Sequence, residues 1–158
     1  MDFNVGDRVI HRSYGAGEIL EVDQKKVAGK TADYYIVQTS NLTLWVPVED
    51  EGESSLRFVT PANEFKAQCK ILSSAGEALP EDRMERKTLL QERLRDGSLE
   101  AVCRVVRDLH ELSKVKKLND YDSAIMERAK TALLGEWMLA LKIPHNQAEQ
   151  ELHDLLKR

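Results

Sequence analysis

Hydrophobic and polar positions along this chain change their period once, near residue 60. Before that point apolar residues alternate with polar ones in short runs broken by turns. Gly6-Asp7 reads as a turn, and Arg8–Arg12 as a short strand with Val9 inward and Ile10 outward. Tyr14-Gly15 turns again, and a long strand opens at Gly17 and runs to Val27 with a polar middle, Asp23-Gln24-Lys25-Lys26. After a turn at Ala28-Gly29-Lys30, Tyr34–Gln38 is aromatic and β-branched, Ser40-Asn41 turns, and Leu42–Val48 returns. Pro47 has no N–H for a ladder, which puts it at a sheet edge or strand end. An acidic loop, Glu49 to Glu53, precedes a last strand at Leu56–Val59. Five strands in so short a stretch predict a small, strongly bent β-barrel, closed or nearly so. A barrel of this size cannot enclose a large active site, which points to binding.

From Pro61 the period becomes helical. Phe65, Cys69 and Leu72 share one face, and Ser73-Ser74-Ala75-Gly76 is expected to end that helix in a flexible joint. Pro80 is expected to open the next helix, with Glu81, Asp82 and Glu85 in the first turn, where the helix dipole favours acids. Gly97 stops it. Ser98 suits the N-cap of a third helix with Val102, Val105, Val106, Leu109 and Leu112 inward. Lys114-Val115-Lys116-Lys117-Leu118-Asn119 forms a basic connector, and the longest helix starts at Asp120 or Asp122. Pro144 opens a last amphipathic helix bearing Ala148, Leu152, Leu155 and Leu156. The fold class is therefore α+β in two domains: a barrel over residues 1–60 and an all-α domain over 61–158.

Length and composition fit that division. A chain of 158 residues holds one medium domain or two small ones, and 42% hydrophobic residues suffice for real cores. No apolar run reaches the 18 or so residues that span a bilayer, and Met1-Asp2-Phe3-Asn4 lacks the parts of a signal peptide. A cytoplasmic location is expected, with no membrane partner. Cys69 and Cys103 have neither CxxC spacing nor nearby histidines, and read as reduced, buried small hydrophobes.

Charge is uneven. Residues 1–60 carry 6 Lys+Arg against 10 Asp+Glu, whereas 61–158 carry 17 of each. All the excess acid lies in the β part, so any DNA contact must come from a local cluster in the helical part and be weak and not sequence-specific.

Signals for catalysis are poor. Gly15-Ala16-Gly17 lies between strands with no Lys-Ser/Thr after it, so it is not a phosphate loop. His11, His110, His145 and His153 fall in four elements without ligands at metal spacing. Ser13 and Ser98 are better explained as turn and cap residues than as nucleophiles. No enzyme activity, cofactor or metal is expected. Two binding features remain. The edge of the strand pair Tyr34–Gln38 and Leu42–Val48 could accept an extended partner segment, although Leu44 and Trp45 read equally well as barrel core and surface. Arg83, Arg86 and Lys87, at i, i+3 and i+4, share a helix face that suits phosphates or a minor groove. On spacing alone that face reads more readily as solvated and paired with Glu81, Asp82 and Glu85.

The order of motifs adds a family resemblance. Phe3-x-Val5-Gly6-Asp7-x-Val9, Tyr14-Gly15-Ala16-Gly17, Gly29, Tyr35 and Val46-Pro47-Val48 resemble the polymerase-interacting domain of the CarD/CdnL family of bacterial transcription regulators. Leu79-Pro80, Arg86, Leu94-x-x-Gly97, Val105-Val106-Arg107-Asp108-Leu109 and Ala129-x-x-x-Leu133-Leu134-x-Glu136 are similar to its helical domain. The barrel alone also resembles the interaction domain of the transcription-repair coupling helicase. The resemblance implies a Tudor/SH3-like barrel that docks on the β subunit of RNA polymerase through a strand edge, with Lys25, Leu44, Trp45, Val46 and Pro47 at the contact. It implies a helical domain that meets promoter DNA at the upstream edge of the bubble through Arg83, Arg86 and Lys87, and so modulates the open complex. Relatives use basic residues towards polymerase at the positions of Lys25 and Trp45, and a Trp wedge at the position of Arg83. This chain departs from the pattern at Trp45 and Arg83. An adaptor on polymerase without direct DNA contact is the alternative. The chain's location would then be the cytoplasm, on the nucleoid through polymerase.

Overall fold

Val27 and Lys30 face each other across a two-residue turn in which Ala28 and Gly29 both have positive φ, 53° and 79°. Two left-handed residues in succession match the twist of a tight hairpin, and Gly29 adopts that conformation without a Cβ clash. This hairpin joins the two longest strands of a computed structural model that describes residues 3–49 and 55–157. The chain divides into two compact units, Met1–Val59 and Thr60–Arg158.

The first unit is a five-stranded antiparallel sheet in the order β4-β3-β2-β1-β5. Its strands are β1 (Arg8–His11), β2 (Gly15–Val27), β3 (Lys30–Thr39), β4 (Thr43–Pro47) and β5 (Leu56–Phe58). A register shift between Ile19 and Glu21 bends β2. The sheet curls around Phe3, Val9, Ile19, Tyr35, Val37, Val46 and Leu56. Among the described residues no ladder joins β4 to β5. Ile10, expected to face outward, is buried like Val9. Simple alternation fails there because the outer side of β1 is covered as well. Asp50 to Glu53 of the acidic loop lie outside the described residues.

The second unit packs α1 (Ala62–Cys69), a 3-10 turn (Lys70–Ser73), α2 (Arg83–Asp96), α3 (Leu99–Val115), α4 (Asp120–Leu141) and α5 (His145–Leu156) around one apolar core. Caps set the boundaries. Asp82, Ser98 and Asn119 accept hydrogen bonds from the N–H groups of Glu85, Ala101 and Asp122, at 2.9, 3.1 and 2.8 Å. Pro80 therefore does not open α2. It lies in the extended approach, and Asp82, with Glu85 three residues on, marks the start.

The segment after Ser73 is a strap rather than a free joint. Ser74 Oγ accepts from Arg107 Nη1 at 3.0 Å, and the Glu77 N–H donates to Asp108 Oδ1 at 2.9 Å. Asp108 is fully buried and also receives Arg93 Nη1 at 2.7 Å and Arg107 Nε at 2.9 Å. A Cβ on Gly76 would lie 2.7 Å from Glu111 Cγ, so the strap passes hard against α3. Glu136 on α4 accepts from both the N–H and the hydroxyl of Thr60, at 3.0 and 2.8 Å, and fixes the entry to this unit.

Candidate functional site

The free edge of β4 has a definite polarity of its own. The Thr39 N–H donates to Leu42 O at 2.8 Å and the Val48 N–H to Asp33 O at 3.0 Å, in the register that pairs Val37 with Leu44 and Tyr35 with Val46. Hydrogen-bonded pairs alternate in an antiparallel ladder, so the main-chain groups of Leu44 and Val46 serve β3. Those of Thr43, Trp45 and Pro47 point away from it. Pro47 has no N–H, which leaves two outward donors, at Thr43 and Trp45.

The side chains sort the same way. Val46 is buried in the sheet core and Leu44 packs against it half-buried, so neither offers its side chain to a partner. Leu44 and Val46, both expected at the polymerase contact, thus turn their side chains to the sheet core. Trp45 and Pro47 are exposed. Lys25 on β2 sets its ammonium 5.1 Å from the centre of the Trp45 ring, and Tyr34 on β3 meets that ring edge-on at 6.1 Å. Three adjacent strands thus build one aromatic platform carrying a cation. Trp45 brings no charge of its own but positions that of Lys25.

On the helical unit the three expected cations do not share one face. Arg83 opens α2 and is exposed. Lys87 is half-buried, its Nζ 4.8 Å from the Tyr121 ring centre. Arg86 turns inward. Its Nε and Nη2 each lie 3.0 Å from Asp122 Oδ2, and its Nη1 donates to the carbonyls of Pro80 and Glu81 at 3.0 and 3.2 Å. At 2% exposure Arg86 is a structural strut, unavailable to DNA. Leu90, four residues further on and buried, was the sequence signal for this. Met84, missed by sequence reasoning, is 66% exposed beside Arg83. At 100° per residue, Arg83, Lys87 and Met84 cover one arc of about 100° at the start of α2.

Cys103 Sγ is hydrogen-bonded to Cys69 and buried, and both effects push its thiol pKa well above the ordinary range. His11 Nδ1 accepts the N–H groups of Ser13 and Tyr14 at 3.0 and 3.2 Å, shaping the β1–β2 turn. Burial first, and the neighbouring Arg12 second, lower its pKa. Among the described residues no group of His, Cys, Asp and Glu is arranged to hold a metal ion, and no helix is long and apolar enough to cross a membrane.

A curled sheet with a free edge, followed by a helical unit with a cationic arc, defines a two-module binding protein. The chain belongs to the CarD family: residues 3–59 match the CarD-like/TRCF RID domain, and residues 68–153 match the CarD C-terminal domain. It is 27% identical over 140 residues to the Bacillus subtilis (strain 168) protein "Putative transcription factor YdeB", covering 85% of this chain and 89% of that protein. Family membership places it among transcription regulators associated with RNA polymerase.

Proposed function

We propose that residues 1–60 dock on the β subunit of RNA polymerase by adding a partner strand to the β4 edge, while residues 61–158 touch promoter DNA at the upstream edge of the bubble and alter open-complex lifetime. The observation that carries this reading is the unpaired β4 edge, beside the Lys25–Trp45 platform, in a chain of this family. Main-chain bonds from Thr43 and Trp45 supply affinity, and the platform supplies specificity. The DNA contact is weak by itself and becomes effective because polymerase holds it at high local concentration.

Arg83 occupies the position where relatives place a Trp wedge. A flat aromatic ring fills the gap between unstacked bases, whereas a guanidinium is drawn to the negative potential of a narrow minor groove. The chain therefore stabilises the open complex less than Trp-bearing relatives, and with stronger salt dependence. The test is the decay of competitor-resistant promoter complexes at two salt concentrations. Arg83→Trp lengthens the lifetime and Arg83→Ala shortens it. Equal lifetimes for all three proteins, with polymerase binding intact, would remove Arg83 from the bubble. One observation favours the adaptor reading: with Arg86 turned inward, the start of α2 offers two cations, Arg83 and Lys87, instead of three.

A further inference from the structure

Three lysines of the connector between α3 and α4 have no task in the fold beyond one surface pair. Lys114, Val115, Lys116 and Lys117 are consecutive and exposed. Val115, at 80%, is the most exposed large hydrophobic among the described residues. Lys114 reaches Glu111 one turn back at 3.1 Å, both ends in solvent. Between Lys114 and Leu118 there is no acid.

The fold brings this connector to the same end of the unit as the α2 arc. Asn119 caps α4 two residues after Lys117. The first turn of α4 is fastened to that of α2 by Arg86–Asp122 at 3.0 Å and by Lys87 over Tyr121 at 4.8 Å. A groove of about 650 Å³ separates the two, with Pro80, Glu81 and Arg86 on one bank and Leu112, Val115 and Lys116 on the other.

We propose that this connector is a second DNA contact: Lys116 and Lys117 hold the phosphodiester backbone of the duplex whose groove edge meets Arg83 and Lys87. The inference rests on the promoter-DNA reading above and extends it to residues the α2 helix does not contain. Charge decides the occupant. Glu77, Glu81 and Glu111 line the groove and repel phosphate, so the duplex bridges the banks instead of entering between them. Lys116 lines one bank with Lys117 next to it in the chain, and Arg83 and Lys87 stand within a turn of Arg86, which lines the other. Val115 lies between Lys114 and Lys116, where it can rest against deoxyribose, the apolar part of the backbone. Asp120 and Glu85, exposed near the two banks, weaken the field without cancelling it.

The test uses the full chain, a labelled promoter duplex and a salt series followed by fluorescence anisotropy. Neutralising two phosphate-bound lysines removes about two units from the slope of log K against log salt, and about tenfold in affinity at the lowest salt. K116Q/K117Q is expected to show both changes. K66Q/K70Q, an equal charge change on exposed lysines around α1, is expected to show neither. Circular dichroism confirms that each variant is folded. If K116Q/K117Q behaves like K66Q/K70Q while R83A/K87A loses affinity, the connector does not touch DNA and the inference fails alone. If wild-type protein shows no salt-dependent binding to the duplex, either free or on polymerase, the DNA reading fails and takes the inference with it.

Discussion

Arg86 and Asp122 form a buried ion pair, Nη2 to Oδ2 at 3.0 Å, each side chain 3% exposed, and this pair sets where the start of α2 lies against α4. Removing one partner strands the other charge out of water, at a cost of about 3–5 kcal/mol. Arg86→Ala and Asp122→Asn are therefore expected to lower the urea midpoint sharply. Arg86→Ala should leave the salt slope of DNA binding unchanged in the fraction that stays folded. Near-wild-type stability would show that the pair is open to solvent.

The hydrogen-bond parity of β4 predicts opposite effects for prolines at neighbouring positions. Thr43→Pro deletes an outward N–H and spares the ladder to β3, so the protein stays folded while binding to the polymerase β subunit drops at least tenfold. Leu44→Pro deletes a bond to Val37 and lowers the unfolding temperature first. Melting curves beside titrations with polymerase separate the two effects. Full-strength binding by folded Thr43→Pro would exclude strand addition at this edge.

His11 connects turn geometry to pH. Its neutral Nδ1 accepts two backbone N–H groups, and protonation there turns the acceptor into a donor. Its pKa in the folded chain is lowered, so the folded state binds fewer protons than the unfolded state below the ordinary histidine value of about 6.5. The contribution of His11 to stability is present above that pH and lost as pH falls through the lowered pKa. An NMR titration should show the His11 ring protons moving below pH 6.5, with the Ser13 and Tyr14 amides moving alongside. A midpoint at or above 6.5 would contradict the assignment.

Both thiols should be silent in the native protein. Burial and their mutual hydrogen bond hold Cys103 as the thiol, and the thiolate is the reactive form. A thiol-disulfide reagent is expected to titrate no cysteine in buffer and both in denaturant. Fast native labelling of either one would refute that packing.

Where capping and turn chemistry acts locally, the sequence was a sufficient guide. Ser98 and Gly97 mark helix ends by bonds and backbone angles that involve only near neighbours, although Pro80 was expected to open the helix that Asp82 caps and the Asn119 cap was not singled out. The misses came where a distant element decides. Arg86 stands at helical spacing with Arg83 and Lys87, but its direction is set by Asp122, thirty-six positions away. The strap after Ser73 looks like a linker because Ser-Ser-Ala-Gly is small and polar, and it is Arg107 and Asp108 of α3 that fasten it. On β4 the sequence left the facing of Leu44 and Trp45 open, and the direction of each amide depends on where the ladder with β3 begins.

Pro47 carries a consequence for the life of the protein before it meets a partner. An unpaired strand is a template on which further copies can stack, and long flat edges lead to fibres. This edge is five residues long and ends in a residue that cannot donate, beside a bulky Trp platform on one face. It can receive one short strand, but two such edges facing each other have too few matched donors to propagate a sheet. A short edge that ends in proline thus limits how far copies of this chain could add to it.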